Sequence, residues 1–197
     1  MSKTKSIVVL DGHPDPDNNH LCHSLALEYQ KGGREGGHFA ELIRIADLKF
    51  PILRCPSDFT DNPTPQELHS TRDAILNADH VALFYPLWLG TLPAYTKSFL
   101  EQLFHYDTAF ERGDGNGWPT GKMKGKSVRI VVTMGMPAFA YKLWYRAHSL
   151  KSLERNIFKF IGFGPVRSTV LGMVDQADKT KIDRWLSKMA SLGGNAN

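Results

Sequence analysis

Three short stretches carry residue types and spacings that could do chemistry. The first is Asp11-Gly12-His13-Pro14, followed at close range by Asn18-Asn19-His20-Leu21-Cys22. His13 is titratable, and Asn18, Asn19 and His20 offer side-chain donors just ahead of a helical pattern. Free N–H groups and the dipole at a helix start favour an anion, so this stretch reads as a phosphate cradle. The second is Tyr85-Pro86-Leu87-Trp88-Leu89-Gly90-Thr91-Leu92-Pro93. It puts large apolar residues at the end of an apolar run, where solvent is normally met. Either another chain or a flat apolar ligand must cover it. An isoalloxazine ring has the matching character: an apolar edge and a polar edge that needs backbone donors and acceptors. The third is Thr133-Met134-Gly135-Met136-Pro137, with Tyr141 and His148 beyond it. Gly135 lets the backbone approach a planar ligand. A phenol and an imidazole near a flavin would stabilise charge as hydride arrives and departs.

Each stretch also has a plainer reading. Asn18 and Asn19 serve equally as helix caps, Trp88 and Leu89 as core, and Tyr141 and His148 as packing or surface residues. Other chemistries find no support. There is no G-x-x-x-x-G-K-[ST], and Gly113-x-Gly115-x-Gly117 follows no strand, so it reads as a flexible loop. No G-x-S-x-G elbow is present for an acyl hydrolase. Asp11 alone falls short of the acidic cluster that a receiver-type phosphoacceptor needs. No Cys/His spacing suggests a metal site.

The 197 residues suit a single domain spanning 1–197, and 42% hydrophobic with 22% charged residues is an ordinary globular balance. The formal charge of +4 favours anionic small molecules. Its one basic cluster, Lys122, Lys124 and Lys126, is too short for a nucleic-acid footprint and reads as a solvated loop. Two cysteines, Cys22 and Cys55, make no disulfide framework. The first apolar run, Ile7 to Leu10, is too short for a signal core or a membrane span. The expectation is a cytoplasmic protein with no membrane insertion.

Strand and helix patterns alternate along the chain. Strands are predicted at Ser6–Leu10, Phe39–Ile45, Val81–Tyr85, Ser127–Met134 and Pro165–Leu171. A helix bearing Leu21, Leu25 and Tyr29 follows the first, closed by Gly32-Gly33 and Gly36-Gly37. Asp47–Pro65 reads as a long loop. Further helices are predicted over Gln66–Asn77, Ala94–His105, Ala140–Phe160 with one break, and Ala177–Leu192. Five such alternations imply an α/β fold: a parallel sheet covered on both faces. The leading topology is a flavodoxin-like three-layer fold with a five-stranded parallel sheet in the order 2-1-3-4-5. Ligands bind there beyond the carboxyl ends of the strands, at the switch point between the first and third. The loops Asp11–Leu21, Pro86–Leu92 and Gly135–Tyr141 should therefore converge.

His13-Pro14, the Tyr85–Pro93 stretch, Phe99-Leu100-Glu101-Gln102 and Thr133-Met134-Gly135 together resemble the NAD(P)H:quinone oxidoreductase, or flavodoxin-2, family. That family includes DT-diaphorase-like enzymes, the modulator of drug activity and potassium-efflux ancillary proteins. The resemblance runs from about Ser6 to Gly172. It implies a flavin, a homodimer with sites at the interface, and two-electron ping-pong transfer from NAD(P)H to quinone-like acceptors. By the same resemblance, His13 and Asn18, Asn19, His20, Leu21 and Cys22 take the phosphate and ribityl loop. Pro86, Leu87, Trp88 and Leu89 contact the ring, and Thr133, Met134, Gly135 and Met136 lie at its pyrimidine edge. Tyr141 and His148 take the catalytic positions, Tyr141 also touching the cofactor. The chain departs from the family in two places: His20-Leu21-Cys22 stands for Ser-Phe-Asn, and Gly135-Met136 for Gly-Gly. Without a long C-terminal extension, the reading favours FMN, with FAD possible. The rivals are a flavodoxin-type electron carrier, which is typically acidic, and a flavin-binding regulatory subunit of a transporter.

Overall fold

The computed structural model describes residues 3–111 and 119–197, so the Gly113, Gly115 and Gly117 reading lies outside the described residues. Five strands form one sheet: β1 (Ser6–Asp11), β2 (Phe39–Arg44), β3 (His80–Pro86), β4 (Ser127–Met134) and β5 (Val166–Gly172). Their order is β2-β1-β3-β4-β5, every neighbour is parallel, and all carboxyl ends therefore share one edge. This is the expected topology. Every residue of β3 is buried, which is why its sequence shows no alternation.

Side chains still alternate between two cores. Val8, Leu10, Leu83, Tyr85, Ile130 and Val132 point one way. There they meet α3 (His69–Asn77), α4 (Ala94–Leu103) and the segment from α7 (His148–Ser152) into a wider helical turn ending at Lys159. Ile7, Val9, Ala82, Phe84 and Val131 point the other way, against α1 (Leu21–Glu35) and α8 (Lys179–Gly194). Three short helices complete the chain: α2 (Pro56–Thr60), α5 (Tyr106–Ala109) and α6 (Ala138–Leu143).

Several local expectations change. Gly32-Gly33 does not end the first helix, which runs on to Glu35. A Cβ on Gly32 would sit 2.0 Å from the Ala190 carbonyl oxygen, and one on Gly193 would sit 2.0 Å from that of Tyr29. The glycines are there so that α1 and α8 can touch backbone to backbone. Tertiary packing offsets their helix cost, roughly 1 kcal/mol each. The 47–65 loop contains α2 and is pinned by Gln102, whose amide donates to the Pro51 carbonyl at 2.7 Å. The predicted Ala140–Phe160 helix starts earlier, at Ala138, and breaks between Leu143 and His148, where Arg146 and Ala147 are left-handed. Lys126 is not merely solvated: its ammonium donates to the Leu76 and Ala78 carbonyls at 2.7 and 2.8 Å, closing α3.

The amino end of the sheet holds a buried polar chain. The Tyr29 hydroxyl donates to the Asn197 carbonyl at 3.0 Å and so must accept from His80 Nε2 at 2.7 Å. His80 Nδ1 then accepts from the Ser127 hydroxyl at 2.7 Å. Both contacts fit a neutral imidazole. Burial, reinforced by the charges of Lys5, Arg129 and Arg167, pushes His80 down to about 3 from 6.5. The unfolded chain takes a proton near pH 6.5 that the folded one excludes. The resulting stability is complete above pH 6.5 and is lost as the pH falls toward 3, by up to about 1.4 kcal/mol per unit. Urea unfolding across this window should show a steeper loss for the wild type than for His80→Gln. Parallel curves would refute the assignment.

Candidate functional site

The site begins where β1 ends. The Gly12 N–H donates to the Phe84 carbonyl at 2.7 Å, and the Thr96 hydroxyl donates to the Gly12 carbonyl at 2.5 Å. A Cβ on Gly12 would lie 2.7 Å from the same Phe84 oxygen. The chain thus crosses the end of β3 in contact with it. The loop that follows is built on every second residue. Asp11 Oδ1 accepts from the His13 N–H, His13 Nδ1 from that of Asp15, Asp15 Oδ1 from that of Asp17, and Asp17 Oδ1 from that of Asn19. Such local side-chain acceptors replace sheet partners and curl the backbone.

Helix α1 starts directly behind this loop, and His23 reaches back into it from the first turn. His23 Nδ1 lies 2.5 Å from Asp11 Oδ2, and its Nε2 lies 3.0 Å from the Asp15 carbonyl oxygen. His23 is 8% exposed and Asp11 1%, so the pair is interior. His20 stacks on His13 with ring centroids 3.9 Å apart, and its Nε2 is 3.0 Å from Asp15 Oδ2. Burial lowers the His13 pKa, and the neighbouring His20 and His23 lower it further. The Asp15 carboxyl is held down by the Asp17 N–H and by His20. Burial raises the Cys22 thiol well above its usual range, so it enters the site as an inert wall.

The second loop leaves β3 with its Leu87 N–H bonded to the Thr133 carbonyl at 2.7 Å, which fastens it to the end of β4. Trp88 and Thr91 exchange two backbone hydrogen bonds across Leu89 and Gly90, both left-handed at φ 43° and 81°. This tight turn leaves Leu89 fully exposed and brings the Trp88 ring edge-on to His13 at 5.7 Å. In the third loop, a Cβ on Gly135 would fall 2.7 Å from the Asp175 carboxylate. A fourth loop, after β5, packs against the third: the Met173 N–H donates to the Met136 carbonyl at 3.1 Å.

These loops enclose a cavity of about 520 Å³. The sequence-predicted residues His13, Asn19, His20, Leu21, Cys22, Pro86, Leu87, Trp88, Thr133, Met134 and Gly135 line it. Asn18, Leu89, Met136, Tyr141 and His148 do not. Asn18 is exposed on the loop, and Met136 packs toward the core. Tyr141 is buried, accepting from the Leu150 N–H at 3.1 Å and sharing a hydrogen bond with the Ser149 hydroxyl at 2.8 Å. His148 is exposed at the start of α7. Asp15, Val174 and Asp175 line the cavity but were missed, as was His23 beneath it. Every parallel strand ends at this edge, so the loop after the fifth belongs to the same search. For His23 the available signal was its place in the first turn of the helix behind that loop.

A family profile described as a flavodoxin-like fold matches residues 5–192. The chain belongs to this flavodoxin-2 family. Among curated relatives, it is 29% identical over 184 residues to an NAD(P)H oxidoreductase of Haemophilus influenzae, itself uncharacterized; the match covers 89% of this chain and 90% of that one. Among solved structures, an NAD(P)H:quinone oxidoreductase from Methanothermobacter marburgensis superposes with a TM-score of 0.83 at 17% identity, covering 99% and 100% of the two chains. An FMN-dependent NADH-azoreductase from Bacillus anthracis, solved in complex with FMN, gives 0.73 at 16% identity over 97% and 99%. The two structural likenesses establish the fold.

Asp11 is the interior anchor of the first loop, holding both His23 and the His13 N–H. Asp11→Ala leaves a buried histidine without its acceptor and should cost about 3 kcal/mol or more. Asp17→Ala, on the exposed loop, should stay within about 0.5 kcal/mol. Urea unfolding at neutral pH checks this, and a small loss in both would show that the anchor is dispensable.

Proposed function

We propose that this chain is a flavin-dependent NAD(P)H oxidoreductase that passes two electrons to quinone-like acceptors. The observation that carries this reading is the meeting of three surfaces in one cavity. These are a donor-rich loop at a helix start, the apolar wall of Pro86, Leu87 and Trp88, and the side-chain-free edge at Gly135. A flavin has a phosphate, a flat apolar ring and a polar pyrimidine edge, and each finds a matching surface. The Haemophilus relative, matched over most of both chains, carries the same activity class in its name.

His13, Asn19, His20, Leu21 and Cys22 would hold the phosphate and ribityl chain, with Asn18 at the outer edge of that loop. Pro86, Leu87 and Trp88 would flank the ring, and Leu89 would lie at the mouth. Thr133, Met134 and Gly135 would meet the pyrimidine edge, with Met136 supporting them from the core side. When bound, a flavin supplies hydride acceptance from a nicotinamide and its return to an acceptor. The chain supplies orientation, exclusion of water by the apolar wall, and fixed donors. His148, exposed at the start of α7, keeps the charge-stabilising assignment. Tyr141, with its phenol tied to Ser149 and Leu150, is assigned a positioning role for the turn that carries His148. Donor and acceptor would use the same ring face in turn. The cradle at the start of α1 is read as holding a single phosphate, which favours FMN over FAD.

Large apolar side chains stand exposed at Leu89, in the second loop, and at Phe139, Leu143, Trp144 and Tyr145, on α6 and just after it, with Trp144 84% exposed. Surface of this kind marks an association site, and the reading assigns it to a homodimer that completes the active site. Sedimentation should give twice the chain mass, and a monomer at micromolar concentration would refute the dimer. No helix among the described residues is long and apolar enough to cross a membrane. The reading places the protein in the cytoplasm.

The decisive experiment is anaerobic titration of flavin-loaded protein with NADH and with NADPH. Bleaching of the visible flavin band is expected with at least one donor, followed by quinone reduction without a partner reductase. No bleaching with either would overturn the oxidoreductase reading. Bleaching that stalls until a partner protein is added would favour an electron carrier.

A further inference from the structure

Among the described residues, no lysine or arginine lines the cavity. Its formal charges are instead carboxylates, Asp15 and Asp175, with Asp11 buried behind the wall. Left uncompensated, these would repel a phosphate. Recognition of an anion here falls to the helix start and to three histidines.

Hydrogen bonding fixes the tautomer of one and the placement of another. His13 Nδ1 accepts the Asp15 N–H at 3.2 Å, so the ring carries its proton on Nε2. That Nε2 makes no hydrogen bond to the described residues, leaving one neutral donor on a cavity-lining ring. His23 is the opposite case. Both of its nitrogens face oxygen acceptors, the Asp11 carboxylate at 2.5 Å and the Asp15 carbonyl at 3.0 Å. These two contacts hold the His23 ring between the end of β1 and the loop. Among the described residues, the groups facing His23 are Asp11 from β1, Asp15, His13 and His20 from the loop, and Cys22 beside it. Asp175 lies across the cavity. His20 is already committed to Asp15 Oδ2.

We propose that the buried Asp11–His23 pair is the positioning element that makes this cavity select a ligand ending in phosphate. It rests on the flavin reading of the site and adds the residues that read the phosphate. His23 stands in the first turn of α1, where the helix dipole already favours an anion. By holding the Asp15 carbonyl, it also keeps the Asp15 N–H on His13 Nδ1, and thereby the His13 proton on Nε2. Asp11 carries both functions, gripping His23 with one oxygen and the His13 N–H with the other. The substitution of histidines for the family's Ser-Phe-Asn pattern then has a physical sense. Donors are kept, but they come from a hydrogen-bonded imidazole cluster in place of hydroxyl and amide.

FMN and riboflavin differ only in the terminal phosphate, so their affinities isolate this effect. Dissociation constants for both should be measured by flavin fluorescence at neutral pH for wild type, His23→Gln and His20→Ala. Wild type should favour FMN. In His23→Gln, FMN affinity should fall by about tenfold or more, the scale of one charge-assisted hydrogen bond, while riboflavin stays within about twofold. His20→Ala, on the exposed side of the cluster, should shift the ratio in the same direction by a smaller factor. It decides the question if His23→Gln does not fold, an unchanged ratio then overturning the proposal. Equal weakening of both ligands means a structural role only and also overturns it. Wild type that binds FMN and riboflavin equally overturns this inference alone. Wild type that binds neither overturns the flavin reading and this inference with it.

Discussion

β1 pairs in parallel with β2 on one side and β3 on the other, placing Asp11 between Arg44 and Phe84. From that pairing the rest of the functional end follows. Parallel neighbours require crossovers, and right-handed crossovers send the chain from β1 to one face and from β3 to the other. The loops leaving these adjacent strands therefore part, and a crevice opens between them. The Gly12 bond to Phe84 keeps the first loop against the end of β3, and the Leu87 bond to Thr133 keeps the second against β4. The crevice is thus bounded by backbone hydrogen bonds, which leaves its side chains free for a ligand.

The two ends of the sheet treat buried polarity differently. At the amino end, Tyr29, His80, Ser127 and Asn197 share hydrogen bonds without needing a formal charge on the imidazole. Such a chain is satisfied internally and offers a ligand nothing. At the carboxyl end, Asp11 and His23 form an interior hydrogen-bonded pair beneath a loop whose outer groups remain open. A buried pair of this kind is weak evidence for stability, because desolvation offsets much of its attraction. Its position under a helix start, beside a cavity that no described lysine or arginine lines, suits the proposed binding role.

The loops around the cavity are braced rather than loose. The first is curled by side-chain acceptors at alternate residues, the second is closed by a two-residue turn, and the third and fourth are bonded to each other. Rigid loops on a rigid sheet lower the ordering cost of binding. The cost is paid locally in left-handed residues, Leu89 and Met173. Both sit where a wall turns sharply at the rim.

The amino-acid sequence by itself determined the layered fold, because strand and helix periods alternate and β3 is continuously apolar. It also located three of the four loops, since ligand-facing residues must follow strand ends in a parallel sheet. Eleven of the predicted residues line the cavity for that reason. Contacts between residues distant in sequence were a different matter. Gly32 looked like a helix stop because nothing local shows that Ala190 will press against it. Nothing local marks Asp175, because only the β4–β5 pairing brings it over Gly135. Nothing local marks His23 either, because its two acceptors lie eight and twelve positions back. Periodicity and turn chemistry are encoded over a few neighbouring residues and can be read along the chain. The partners of a histidine depend on which oxygens face it in space, and only the tertiary structure decided that.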